Sequence, residues 1–365
     1  MQSDLARLRI DAWLLRNNVD EPLNLGYLHL THISFSIPQN VKHLNLKHNK
    51  LSVLDGSGLP RGLLTLECCN NRIQYITNLP DGLRELRCKY NRLSGFGMLP
   101  ASLRHLSCSF NYIRHLDALP DGLEKLNCSF NLLAGLPQIP SSLVTLKCQY
   151  NRIRALPVFG DDNFGYTMSI LECQSNQLTE LRNLPRGLSV LKCDRNRLNK
   201  LPDVLPAGLQ ILSCSCNRGI RWLPDTLPSR LLQLVCSNCS LDVLPTLPTG
   251  IDLLVCSNNN LVKLPALPEM MRFLSCDSNR IRGVIHIPHG MRNLSCAYNS
   301  IRFVHNVPPV MYNIDLHENR LIFSMNDSTD RFAVQRSRGA IQNIASMYNT
   351  IDICYRDEEL GGMVA

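Results

Sequence analysis

A cysteine returns at nearly constant spacing through most of this chain: Cys68, Cys88, Cys108, Cys128, Cys148, Cys173, Cys193, Cys214, Cys236, Cys256, Cys276 and Cys296. An asparagine stands three residues after almost every one, at Asn71, Asn91, Asn111, Asn131, Asn151, Asn176, Asn196, Asn217, Asn259, Asn279 and Asn299. Self-similarity at so short a fixed period decides the fold class, because one such unit cannot bury its apolar face alone and must stack on its neighbours. Stacked units make long surfaces more readily than catalytic pockets, so the period also narrows function.

One period shows what each position does. The stretch Leu83-x-x-Leu86-x-Cys88-x-x-Asn91-x-Leu93 carries the leucine-rich-repeat pattern with Cys in the third apolar slot. The alternation Leu86-x-Cys88 has a period of two, which predicts a short strand with both side chains inward. Asn91 has donors and an acceptor to satisfy backbone groups where the chain turns away. Leu99-Pro100 follows on the outer side, and proline disfavours helix there, so the outer segment is expected to be extended. The pattern continues upstream at Leu44-x-Leu46-x-x-Asn49 and downstream at Ile314-x-Leu316-x-x-Asn319, with a weaker start at Leu25, Leu28, Leu30 and Ile33. About fifteen strands are expected. An insertion between Cys148 and Cys173 places Phe159-Gly160-Asp161-Asp162-Asn163 in a loop bulging from the stack, and Cys239 replaces the ladder asparagine in one unit.

The Leu-Pro-x-x-Leu frame recurs at Leu79-Pro80, Leu99-Pro100, Leu119-Pro120, Ile139-Pro140, Leu184-Pro185, Leu247-Pro248 and Leu267-Pro268. With its 20-residue period it resembles the short leucine-rich-repeat subtype of bacterial type III secreted effectors. That group includes the Yersinia outer-protein M type and the repeat halves of the invasion-plasmid-antigen-H ubiquitin ligases. Similar repeats occur in proteins of large DNA viruses. The resemblance covers about residues 37–321. It implies a curved, right-handed, mainly β solenoid with a parallel sheet on its concave face and helical end caps. It implies a recognition module rather than ligase activity, since the chain ends without the large ligase domain; cysteine in the strand departs from the effector pattern.

The expected organisation is an N-terminal helical cap over 1–22, the solenoid over 23–322 and a C-terminal cap and tail over 323–365. In the first cap, Ser3 or Asp4 is a capping residue and Leu5, Leu8, Ile10, Trp13 and Leu14 form an apolar face. Sixteen cysteines would suggest disulfides in a small secreted protein. Here most occupy one inward column on parallel strands, whose side-chain vectors suit a disulfide poorly and do not converge on a metal. No metal and no cofactor are expected, and the thiols point to a reducing, intracellular setting, the cytoplasm of the cell or of a host. Charges at Asp4, Arg7, Arg9, Asp11 and Arg16 interrupt any signal-peptide core, and no apolar run reaches membrane-spanning length. A formal net charge of +8 permits acidic partners without requiring them.

Two stripes are candidate contact surfaces. Tyr90, Phe110, Phe130 and Tyr150 occupy the slot before the ladder asparagine in four consecutive units, near Arg87, Lys89, Lys125 and Lys147. Aromatics among cations fit a protein-binding hot spot, and the same mixture fits base stacking with phosphate contacts; packing of the rings to stiffen an edge explains them equally. Ile211, Val235, Leu253, Val255 and Phe273 flank the inward leucines and would form an apolar patch on the open face, although β-branched residues also simply suit strands. Arg72, Arg92, Arg152, Arg197, Arg280 and Arg320 follow the asparagines as a solvated rim. No phosphate-binding glycine loop, zincin helix or nucleophile elbow stands out, so no enzyme is expected. The chain reads as a monomeric protein-interaction module. The alternatives are a substrate-recognition adaptor of a ubiquitin-ligase system and, with less support, nucleic-acid binding through the basic face.

Overall fold

The computed structural model describes residues 2–159 and 165–321. The cap and tail expected over 323–365 lie outside the described residues. The chain divides into two compact units, one running to Ser213 with Pro228–Leu231 added, the other comprising Cys214–Leu227 and Leu232 onward. Each is a mainly β, leucine-rich-repeat solenoid.

The first unit stacks ten short parallel strands: Leu23–Asn24, His43–Asn45, Thr65–Glu67, Glu85–Arg87, His105–Ser107, Lys125–Asn127, Thr145–Lys147, Ile170–Glu172, Val190–Lys192 and Ile211–Ser213. The second stacks five: Gln233–Val235, Leu253–Val255, Phe273–Ser275, Asn293–Ser295 and Asn313–Asp315. Register is uniform; Leu86 opposes Leu106, and Leu106 opposes Leu126. From Thr65–Glu67 to Asn293–Ser295 the central leucine of each strand and the cysteine that follows are buried, as the alternation requires; the first two strands carry leucine in place of cysteine, and Ile314 in the last is half-buried.

The Leu-Pro-x-x-Leu frame is a turn. The Pro80 carbonyl accepts the amide of Leu83 at 3.0 Å, and the same bond recurs from Leu103 to Pro100, Leu123 to Pro120, Ile251 to Pro248 and Met271 to Pro268. Proline keeps its acceptor and has no amide to leave unpaired, which suits it to open this turn. The outer connections are extended, as expected, apart from a short 3-10 turn at Gly56–Gly58. Two pairs of them add small parallel ladders, Val53–Asp55 with Tyr75–Thr77 and Arg282–His286 with Ser300–His305. The latter slips register at Gly283, whose φ of +88° is open only to glycine at low cost.

The asparagines bolt successive turns together. Asn91 Oδ1 accepts the amide of Ile73 in the turn before at 2.9 Å, while its Nδ2 donates to Cys68 O and Cys88 O. Asn111, Asn131, Asn151, Asn176, Asn259, Asn279 and Asn299 repeat this arrangement. Cys239 stands in this slot without an amide oxygen, and the sequence around Gly219 explains how. An extra residue lets the Ile220 amide bond to Asn217 O within its own turn, so no acceptor is needed from the next turn. The Cys239 thiol donates to Cys214 O and Ser237 O, as the asparagine amide does in other turns.

The described cysteines are free thiols. Those of the inward column are fully buried, and several donate to the next strand, as Cys128 does to Lys147 O and Cys193 to Ser213 O. Neighbouring sulfurs approach within the column, with Cys276 and Cys296 Sγ 2.7 Å apart. Burial pushes the Cys128 thiol up to about 12 and raises Cys88 and Cys108 well above the free value. Held as neutral thiols, they act as small apolar filling rather than as nucleophiles.

Three sequence expectations change. The first turn runs Leu23-x-Leu25 with Leu28 in the ladder slot, because Leu23 pairs with Leu44. Phe159 does not bulge outward; it is fully buried, edge-on to Tyr166 at 5.8 Å, while 160–163 lie outside the described residues. The N-terminal helix, α1, spans Gln2–Arg16, so Ser3 and Asp4 lie inside its first turn rather than capping it. Its buried face is Ala6, Ile10 and Trp13, with the Trp13 indole donating to Glu21 O at 2.8 Å; Leu5, Leu8 and Leu14 are exposed. The true inward set follows the i, i+4, i+7 spacing that the leucines obscured.

Removing the Asn131 bolt leaves the buried Ile113 amide without its acceptor and takes one of two donors from Cys108 O and Cys128 O, which keep Asn111 and Asn151. Asn131→Ala is expected to cost about 2–4 kcal/mol in chemical denaturation. Cys239→Asn is expected to bring no gain, because its amide oxygen meets no donor.

Candidate functional site

Each turn leaves its strand through a residue in the left-handed region just before the ladder slot. Tyr90, Phe110, Phe130 and Tyr150 have φ of +55°, +57°, +53° and +55°. This conformation costs an L-residue about 1–2 kcal/mol, and glycine would hold it without strain. That bulky rings sit there four times running means something offsets the strain. The rings stack on one another at 4.3, 4.1 and 4.3 Å between centroids, within 13° of parallel.

The column is longer than the four rings the sequence singled out. Tyr27 stacks on His48 at 4.3 Å, and Asn70 holds the rung between His48 and Tyr90, all with positive φ. The first-turn register concealed this extension: with Leu28 rather than Ile33 in the ladder slot, Tyr27 falls in the ring column. The column changes character after Tyr150, where Ser175 takes the next rung. Tyr90 and Phe110 are exposed, and Phe130 and Tyr150 are half-buried. The inner rings Phe110 and Phe130 spend both faces on their neighbours, and the end rings Tyr90 and Tyr150 spend one each.

The four cations chosen with the rings separate into two kinds. Arg87 Nε pairs with Glu85 at 2.6 Å, which raises the Arg87 pKa further and keeps it charged. Lys147 pairs with Glu172 at 3.1 Å, and Glu172 also reaches Lys192 at 3.5 Å. Among the described residues neither Lys89 nor Lys125 is in an ion pair; Lys125 is exposed and Lys89 half-buried. Arg87 and Lys147 are therefore charge-compensated, whereas Lys125, an outward strand position, and Lys89, next to Tyr90 in the chain, are not. The arginines after the ladder asparagines are exposed, as a solvated rim would be.

The apolar candidates behave differently. Ile211, in the first unit, and Val235 and Val255, in the second, are half-buried. Leu253 and Phe273 flank the inward Leu254 and Leu274 but are only 0% and 4% exposed. They oppose each other in register, so two bulky side chains stand side by side at strand spacing; Val255, opposite the small Ser275, keeps more surface. The two residues that made this patch most telling contribute almost no surface to it.

One further outward group titrates abnormally. Asp277 Oδ1 accepts from Ser295 Oγ and the Ala297 amide, both at 2.7 Å. Burial raises its pKa, the hydrogen bonds oppose that shift, and nearby Asp315 adds to it. Among the described residues no cluster of three His, Cys, Asp or Glu could hold a metal ion, and no helix is long and apolar enough to cross a membrane.

Parallel three-residue strands, asparagine bolts and a 20-residue period define a leucine-rich-repeat solenoid of the kind found in bacterial effectors. YopM from Yersinia enterocolitica WA-314 is similar to this chain with a TM-score of 0.74 and 29% identity, over 87% of this chain and 73% of that one. The leucine-rich effector YopM of Yersinia pestis matches with a TM-score of 0.63 and 24% identity, over 87% and 93%, and so shares the fold. A probable E3 ubiquitin-protein ligase of Sinorhizobium fredii (strain NBRC 101917 / NGR234) is 40% identical over 65 residues, which is 18% of this chain and 12% of that protein. No family model matches the chain.

Two outcomes test this description. Phe110→Ala breaks two stacking contacts and is expected to cost about 1–3 kcal/mol, read as a lowered denaturation midpoint. For Asp277 the folded pKa exceeds the unfolded 3.8, so its burial penalty is full above the raised value, shrinks as pH falls through it, and is absent below 3.8. Asp277→Asn is therefore expected to melt higher than the parent near neutral pH, with the difference closing on acidification.

Proposed function

We propose that this chain is a non-catalytic protein-interaction module. Its partner docks along the outward strand positions and the ring column from Tyr90 to Tyr150. The observation that supports this reading is the partly exposed ring column, with Lys89 next to Tyr90 in the chain and Lys125 on an outward strand position, neither in an ion pair among the described residues. Ring edges give rigid apolar contact at little entropic cost, and adjacent lysines select an acidic counterpart. Leu253 and Phe273 have no part in it. Ile211, Val235 and Val255 play at most a peripheral role.

The nucleic-acid alternative is disfavoured by the same geometry. Bases bind by stacking on ring faces, and both faces of Phe110 and Phe130 and one face each of Tyr90 and Tyr150 are already covered. The cations Arg87 and Lys147 are also matched by Glu85 and Glu172. The adaptor alternative, recognition of a substrate on behalf of a ubiquitin-ligase system, draws on the 65-residue match to the probable ligase. It would require the chemistry to come from a bound partner or from sequence beyond this repeat region.

The test is affinity purification from reduced lysate followed by titration with each captured protein. Lys89→Glu with Lys125→Glu leaves the ring stack intact and should weaken a specific partner at least tenfold. A partner that binds the double variant as tightly as the parent would remove this surface from consideration.

A further inference from the structure

The N-terminal helix α1 has a second apolar face that the solenoid does not use. Ala6, Ile10 and Trp13 seat it, and Arg9 Nη1 donates to the carbonyls of Asn24 and Gly26 at 3.2 and 2.8 Å. On the other side Leu5, Leu8 and Leu15 are 47%, 64% and 86% exposed, and Ala12 between them is exposed as well. The spacing 5, 8, 12, 15 is that of alternating a and d positions over two heptads, the seam of a coiled coil. The residues flanking the seam are sorted by sign. Asp4 and Asp11 fall at g positions, and Arg9 and Arg16 at e positions.

That sorting is self-complementary in one orientation only. In a parallel helix pair, g of one helix meets the following e of the other, so Asp11 meets Arg16 of the second copy on both sides of the seam. In an antiparallel pair g meets g and e meets e, which opposes aspartate to aspartate and arginine to arginine. Arg9 is partly committed to the chain's own carbonyls, so the Asp11–Arg16 contact carries the selection. Arg16 already lies within 2.5 Å of Glu21 and is still mostly exposed. From this pattern we infer that the outward face of α1 is a docking strip for a second copy of this chain, paired helix to helix in parallel.

The strip is separate from the ring column, so it goes beyond the proposed partner surface and either reading can fail alone. Two heptads bury well under the roughly 1,600 Å² of a standard stable interface, so the dimer is weak. Sedimentation equilibrium of the full chain under reducing conditions, from about 10 to 500 µM, reads it directly. The weight-average mass is expected to rise reversibly above the 41.2 kDa of one chain. Leu8→Glu with Leu15→Glu changes only exposed side chains and should hold the mass at one chain, with unchanged circular dichroism. Asp11→Arg alone and Arg16→Glu alone should each associate several-fold more weakly than the parent. Their equimolar mixture restores both ion pairs and should match the parent. A parent that stays at one chain throughout, or a double leucine variant that associates like the parent, overturns the proposal. A mixture clearly tighter than the parent would mean antiparallel pairing and overturns the assigned orientation.

Discussion

The hydrogen-bonded asparagine between adjacent turns is the constraint on which the rest depends. A strand of three residues makes too few ladder bonds to fix its neighbour, and a corner in the left-handed region leaves nearby backbone groups without regular partners. One side chain solves both problems by donating to two carbonyls and accepting one amide across turns. Everything outside that bolt can vary. Cysteine can replace leucine inside, rings or serine can occupy the corner, and outer segments can lengthen or pair, provided the bolt closes.

Most of the fold could be read from the sequence because a short period repeats its evidence many times. The strands, the inward Leu and Cys columns and the Leu-Pro turn each recur about a dozen times, so local ambiguity averages out. Legibility fell where repetition stopped. The first turn lacks both the cysteine and the asparagine, and its register slid from Leu23 to Leu25. In α1 the leucines suggested the wrong face, since three of the most apolar residues point away from the solenoid and an alanine points in. Phe159 lay beside an insertion and was assigned to the loop, although its ring needs the core.

The candidate site was legible only in part. The ring column was visible because four aromatics share one slot. That the slot forces positive φ, and that the rings therefore align face to face, is a property of the corner geometry and not of residue type. Alternation placed Leu253 and Phe273 on the outward side without revealing that bulky neighbours in register bury each other. The pairing of Arg87 with Glu85 and Lys147 with Glu172, which singles out Lys89 and Lys125, depends on cross-strand and same-face distances that a column of letters does not carry.

The bolts also have a direction. Each asparagine serves an amide in the turn before it, while backbone amides such as Arg92 N donate back to the preceding turn at Ile73 O, so only the asparagine bond runs one way. Loosening that begins at the far end would strip each preceding turn of an acceptor in succession, like a zip opening from one side. At Ile220 the amide is closed within its own turn, so this one acceptor does not depend on the next turn. The Asn217–Ile220 turn therefore keeps one more bond than its neighbours when the turn after it loosens, even as the Cys214 and Cys216 amides lose Val235 O and Ser237 O.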